Sequence, residues 1–429
     1  MREKRLHLFP ISTKIIDDHL NIGGKDVISL ADHYGTPLYI YDLAEMDEAA
    51  LKYREALKQN WAGSWSITYA GKAFLCKRIA RWASGQQFRV DCTGAGEISI
   101  AVNAGLTKDQ IVVHGVNKSI EDIQAALKWA GILIVDNISE LNKIYQLSKS
   151  SELPGIWLRY QPGSSVDTHA YTQTGHSSSK FGMNREQILE ANLFCRLNNI
   201  RVTGLHFHQG SQFRDAEPLG DGINGALDLA MEIGFENEWN LSPGGGWGIS
   251  YNEDELPDPP VEKYVQFITT NVRDGCAKRG LSLPVLHLEP GRSLIARAGA
   301  AIYRVGTVKQ SGKKKWLLVD GGLADNPRPA LYGARYSCLP VEKPLAADKD
   351  LVTIGGPYCE SGDVLIEGIS LPEIDENELI AIPVSGAYQI SMSSNYNGAR
   401  RPAVILVNDG KVEIMQMRET ISDLAARYP

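Results

Sequence analysis

The chain has 429 residues, 43% of them hydrophobic and 22% charged, which is ordinary globular material with enough core for two or three domains. A formal net charge of -7 without a Lys/Arg stripe argues against nucleic acid and anionic membrane as partners and favours a small-molecule enzyme. Cys76, Cys92, Cys195, Cys276, Cys338 and Cys359 show no CxxC spacing, so neither a zinc site nor a disulfide framework is expected. The start MREKRLHLFPIS has no apolar run behind its basic residues, and no stretch reaches the roughly 18 apolar residues of a spanning helix, so a soluble, cytoplasmic protein is expected.

In chain order the strand candidates are SWSITYA (64–70), FRVDC (88–92), IVVHG (111–115), ILIVD (132–136), GIWLRYQ (155–161), VTGLHFH (202–208), WNLSP (239–243) and VLHLEP (285–290). Helical patterns such as FLCKRIARWAS (74–84), EISIAVNAG (97–105), SIEDIQAALKWAG (119–131) and REQILEANLFCRLNN (185–199) lie between them. Eight such units over roughly 250 residues match a (β/α)8 barrel, with a doubly wound sheet as the competing reading. After about residue 300 the pattern changes to short strands and turns, which reads as a C-terminal β-sandwich or barrel-like domain. The expected domains are 1–36, strands joining the β domain; 37–300, the barrel; and 301–429, the β domain.

The barrel reading is favoured because the unusual residues cluster at the C-terminal ends of the strand candidates, where barrel enzymes build their sites. ITYAGKAFL (67–75) brings Lys72 to a strand end among small residues. A lone lysine there snorkels to solvent, or, in a partly desolvated pocket, serves as a Schiff-base amine. Gly244, Gly245 and Gly246 suit either a tight turn or a phosphate cradle. His206 and His208 share one strand face, but no acid or cysteine lies near them in sequence to complete a zinc set, so no metal is expected. A ring-stacking imidazole fits better. HLEPGRS puts Glu289 and Arg292 at the eighth strand end, as an ion pair or as a carboxylate for a heterocyclic nitrogen.

Together, an imine lysine, a stacking histidine, a glycine cradle and a carboxylate for a pyridinium describe a pyridoxal 5'-phosphate site. The ordered motifs YAGKA, VDCTGAGE, HGVNKS, TGHSSSKFG, GLHFHQGSQ, GGGWGISY, EPGRS, RPALYGA, CESGDVL and GAYQISMSSNYNG run through most of the chain. On these motifs it resembles the alanine-racemase-fold pyridoxal phosphate decarboxylases, the diaminopimelate-specific ones most of all.

The resemblance implies that Lys72 carries the cofactor, His208 stacks on its ring, Glu289 pairs with the ring nitrogen and Asp91 has a supporting role. Ser211, Gly244, Gly245, Gly246, Gly291 and the backbone near Arg292, with Tyr388, would hold the phosphate. Cys359 would protonate Cα from the other subunit of a homodimer. Arg292, Arg328, Tyr332, Glu360 and Tyr388 would grip the far end of an amino-acid substrate. The implied reaction is decarboxylation of meso-2,6-diaminopimelate to L-lysine and CO2. Val116, Gln209 and Trp247 depart from the usual pattern and leave open a sister decarboxylase acting on D-ornithine, D-lysine, carboxynorspermidine or a siderophore-type diamino acid. A racemase and a non-catalytic pyridoxal-phosphate-binding homologue are the further alternatives.

Overall fold

The computed structural model describes residues 2–148, 152–163, 179–235 and 238–429, and the chain forms two compact units. One comprises 50–249 and 259–291; the other comprises 1–49, 250–258 and 292–429.

In the first unit, β1 (Trp65–Ala70), β2 (Arg89–Cys92), β3 (Ile111–Val113), β4 (Ile132–Val135), β5 (Gly155–Arg159), β6 (Val202–His206), β7 (Asn240–Ser242) and β8 (Val285–Leu288) close into a barrel. Every neighbouring pair is parallel. All eight strand candidates fall on these strands. Parallel pairing requires a long crossover after each strand. Helices such as Lys77–Gly85, Ala95–Asn103, Ile120–Trp129, Arg185–Leu197, Leu219–Ile233 and Val261–Arg279 supply it.

Helix starts are fixed locally. The Ser119 hydroxyl accepts from the Asp122 N–H while the Asp122 carboxylate accepts from the Ser119 N–H, and Asn184 with Gln187 repeats the arrangement. β3 and β4 are apolar throughout because both faces of a parallel barrel strand are covered. Trp157 of β5 packs with Val112, Ile132 and Ile134 and meets the His287 ring of β8 edge-on at 4.6 Å. His287 in turn bonds Asn240 (2.9 Å) and Arg89 (3.3 Å), so polar groups at the barrel floor satisfy one another.

The second unit is mostly sheet. Nine strands assemble in the order Val364–Leu371, Asp350–Gly355, Lys314–Val319, Gly299–Ser311, Leu38–Asp42, Ala403–Asn408, Lys411–Gln416, with Leu379–Ile382 pairing to Gly299–Ser311 and Leu339–Pro340. The N-terminal strands Lys14–Ile16, His19–Ile22 and Lys25–Asp26 form their own three-stranded sheet in this unit, tied to the rest by the Leu20 N–H donating to Val341 O at 2.8 Å.

The boundaries differ from the expected 37 and 300. Leu38–Asp42 pairs in parallel with Ala403–Asn408 and antiparallel with Gly299–Ser311, so PLYIYD is a sheet strand and not the start of the barrel. Residues 250–258 and 292–300 belong to the sheet unit as well.

Candidate active site

Lys72 lies in the single 3-10 turn Gly71–Ala73 that follows β1. Gly71 and Ala73 are buried, and Lys72 itself is exposed. The small residue before it answers to a close approach: a Cβ on Gly71 would stand 2.4 Å from the Asp91 carbonyl oxygen of the adjacent β2.

Glu289, just past β8, is the centre of a buried polar cluster at the same C-terminal rim. Its Oε2 lies 3.1 Å from His206 Nε2 at the end of β6, and its Oε1 accepts from the Ser242 hydroxyl at the end of β7 at 2.8 Å. His114, just past β3, brings Nε2 to 3.6 Å from Glu289 Oε1 and 3.8 Å from Asp91 Oδ1. The His114 and His206 rings meet edge to face at 4.8 Å.

The cluster divides charge between two carboxyls. Burial alone would raise Glu289, but the His206 and His114 imidazoles and the bonds from His206 and Ser242 outweigh it and hold Glu289 well below the usual carboxylate range. Asp91 is pushed well above that range by burial and by the Glu289 charge, with Lys72 opposing. Glu289 is therefore the more acidic of the two carboxyls. His114 is held well below its ordinary value by burial, against the attraction of Glu289.

Sequence spacing offered no acid near the 206/208 histidines, yet the fold supplies one. His114, His206 and Glu289 present ligand atoms within 4.8 Å of one another.

His208 is half-buried and held well below its ordinary value, first by desolvation and then by the Lys72 charge, so its ring is neutral. Its Nδ1 accepts from the Gly245 N–H at 3.3 Å, which seats the ring against the glycine turn after β7. Gly245 cannot be larger, since a Cβ there would meet the Glu289 carbonyl oxygen at 2.1 Å. Gly244 and Gly291 are buried in the rim turns after β7 and β8, whereas Gly246 and Ser211 are half-buried.

The residues that depart from the family pattern are accounted for locally. Gln209 donates from Nε2 to Pro218 O at 3.1 Å and packs so closely on the Leu219–Ile233 helix that a Cβ on Gly222 would meet its Oε1 at 2.4 Å. Trp247 stacks on Tyr264 at 4.8 Å and donates to Pro259 O at 3.2 Å. The Val116 carbonyl accepts from Asn137 Nδ2 at 3.3 Å.

In the sheet unit, Arg292 and Arg328 are both buried. Arg292 Nη1 donates to Tyr251 Oη at 2.5 Å, and Arg328 Nη1 donates to Tyr336 Oη. Tyr388, half-buried, places its ring 4.6 Å from the Arg292 guanidinium. Tyr332 ends the short helix Arg328–Tyr332 and is half-buried. Cys359 and Glu360 are exposed on one loop. That loop is braced by Asp363, whose carboxylate accepts from the Leu323 N–H (2.7 Å) and the Tyr358 N–H (2.9 Å), while the Cys359 N–H donates to Asn397 Oδ1 (3.1 Å).

Residues 174–178 of TGHSSSKFG lie outside the described residues. Sequence reasoning missed His114, Ser242, Tyr251 and Tyr336. The signal for the first two was their place at strand C-terminal ends, the rim already singled out for Lys72 and Glu289.

The chemistry of the donor set fits pyridoxal phosphate. An ionised buried carboxylate is what a protonated pyridine requires, a neutral imidazole is what ring stacking requires, and Lys72 and Glu289 follow neighbouring strands β1 and β8.

Comparison with known proteins agrees. Residues 43–296 match the family "Pyridoxal-dependent decarboxylase, pyridoxal binding domain". The diaminopimelate decarboxylase of Bacillus subtilis (strain 168) is 37% identical, over 95% of this chain and 94% of that protein. That of Synechocystis sp. is 35% identical, over 97% and 92%. Among solved structures, diaminopimelate decarboxylase from M. jannaschii in co-complex with L-lysine superimposes with a TM-score of 0.91 at 30% identity, covering 98% of each chain. The chain belongs to the pyridoxal-dependent decarboxylase family.

Proposed function

We propose that this protein is a pyridoxal-phosphate-dependent decarboxylase that converts meso-2,6-diaminopimelate to L-lysine and CO2, and that it acts as a cytoplasmic homodimer with shared active sites. The observation that carries the reading is Glu289, a buried carboxylate held below the usual range against burial, with His206 and Ser242 in hydrogen-bond contact, on the rim that also bears Lys72. The diaminopimelate decarboxylases named above, similar over nearly the whole chain, support the choice of substrate. Among the described residues no helix is long and apolar enough to cross a membrane.

Bound pyridoxal phosphate supplies an electron sink for the pair left at Cα when the bond to CO2 breaks. Lys72 Nζ is the amine that anchors the cofactor. Glu289 supplies the fixed negative charge that keeps a proton on the ring nitrogen, and it pays no reorganisation cost because its partners are already in place. His208 offers a neutral ring face, and Ser211 with the Gly244, Gly245, Gly246 and Gly291 turns offers donors for the phosphate. Arg292 and Arg328 take the far carboxylate of the substrate, with Tyr332 and Tyr388 beside them in role, and Glu360 takes the far ammonium. Cys359, from the second copy of the chain, delivers the proton from Sγ to Cα.

Paired variants test the assignment. Lys72→Ala should lose the cofactor's absorbance near the visible edge and all CO2 release. Cys359→Ala should keep that absorbance and lose roughly a hundred-fold or more in turnover. Mixing the two inactive proteins should restore about a quarter of wild-type activity, because half the dimers of a symmetric exchange are hybrids with one intact site. No restoration after verified exchange would sink the shared-site homodimer, and an unchanged spectrum in Lys72→Ala would sink the lysine assignment.

A further inference from the structure

The two substrate-binding arginines proposed above sit in an alternating stack of rings and guanidinia within the sheet unit. The Tyr388 ring lies 4.6 Å from the Arg292 guanidinium, the Tyr251 ring lies 5.7 Å from Arg292 and 4.4 Å from Arg328, and the Tyr336 ring lies 5.6 Å from Arg328. The order is Tyr388, Arg292, Tyr251, Arg328, Tyr336. Tyr251 is the middle rung: its hydroxyl accepts from Arg292 while its face covers Arg328, and its ring meets Tyr336 edge-on at 5.3 Å. Tyr251, Tyr336 and both arginines are buried.

Burying a guanidinium is costly unless its charge is compensated. A guanidinium keeps its proton in proteins, so Arg328 is buried as a cation. Among the described residues Arg328 makes no ion pair with a carboxylate; its hydrogen-bond acceptor is the Tyr336 hydroxyl. Neutral acceptors and ring faces hold a cation in place without cancelling its charge. The positive charge of Arg328 is thus left for a ligand anion.

We propose that Tyr251 and Tyr336 are positioning residues that fix Arg292 and Arg328 as a receptor for the carboxylate at the far end of the substrate, so that selection of a diacid over a simple diamine rests on these two phenols. This rests on the reading of diaminopimelate as substrate. Phenylalanine at either position keeps the ring and removes only the hydroxyl that fixes one guanidinium. The same oxyanion chemistry would suit the cofactor's phosphate, so the two sources must be separated by measurement.

The experiment uses cofactor-loaded Tyr251→Phe and Tyr336→Phe. KM for meso-diaminopimelate and the calorimetric dissociation constant of L-lysine, which retains the far carboxylate, should each rise about ten-fold, with kcat far less affected. Binding of 1,5-diaminopentane, which has no carboxylate, should be unchanged, as should cofactor affinity. The proposal is overturned if both folded variants bind L-lysine as tightly as the wild type. It is also overturned if the variants instead lose pyridoxal phosphate, which would assign the stack to the phosphate. Failure of the wild type to release CO2 from diaminopimelate would count against the proposed function. L-lysine binding that still weakens in Tyr251→Phe would uphold the stack even then.

Discussion

Glu289 and Asp91 are both buried carboxyls on one barrel rim, and their surroundings separate them. Two imidazoles and a hydroxyl face Glu289, whereas Asp91 feels chiefly burial and the Glu289 charge, so Glu289 is held below the usual carboxylate range and Asp91 above it. Glu289→Gln should therefore cost roughly a hundred-fold or more in CO2 release, while Lys72 still holds the cofactor and its absorbance. Near-wild-type rates in that variant would contradict the role. The same shift makes a stability statement. A carboxyl held below its ordinary 4.5 contributes stability that is complete above that value and is lost as pH falls through the depressed one. The wild type's urea-midpoint advantage over Glu289→Gln should thus be steady above about pH 5 and shrink below it. Glu289 was legible in the sequence because a charged residue after an apolar strand is conspicuous. His114 was not, because its value lies in reaching from β3 to a group on β8, and no local spacing encodes that pairing.

At the scale of elements, the rim is built by strands that stop together and turns that leave no room. The turn after β7 is the tightest of these, with Gly245 seated against the Glu289 backbone. Gly245→Ala should cost about 1–3 kcal/mol in urea unfolding and displace the end of β8, weakening cofactor retention. Gly85→Ala, where a Cβ meets nothing within 4 Å, is the control and should stay within about 0.5 kcal/mol of wild type. Equal midpoints for the two variants would contradict the packing account. The barrel strands were readable because each is a short apolar run bounded by turn residues, IVV and ILIV most plainly. LYIYD has the same local signature, since all five residues are buried, yet its partners are Gly299–Ser311 and Ala403–Asn408. Burial is local information and partner identity is not. Val364–Leu371 is hard to read locally for the opposite reason: Glu367 and Gly368 are exposed in its middle and interrupt the apolar run.

At the scale of the whole molecule, each unit brings its own chemistry. The barrel carries the lysine, the ionised carboxylate and the glycine turns, which suit a cofactor. The sheet unit carries the two buried arginines with their tyrosines, and the loop of Cys359 and Glu360, which suit a substrate with a second amino-acid group. A decarboxylase of monocarboxylic amino acids has no far carboxylate to place against two buried guanidinia. The measurement that bears most directly on this is CO2 release by the pyridoxal-phosphate-loaded protein from meso-diaminopimelate, run beside D-ornithine, D-lysine, L-ornithine and carboxynorspermidine. Strong preference for meso-diaminopimelate, with L-lysine as the product, is the expected result. Turnover of another of these amines in preference to it would contradict the account of substrate, and no turnover of any of them with cofactor bound would contradict the account of catalysis.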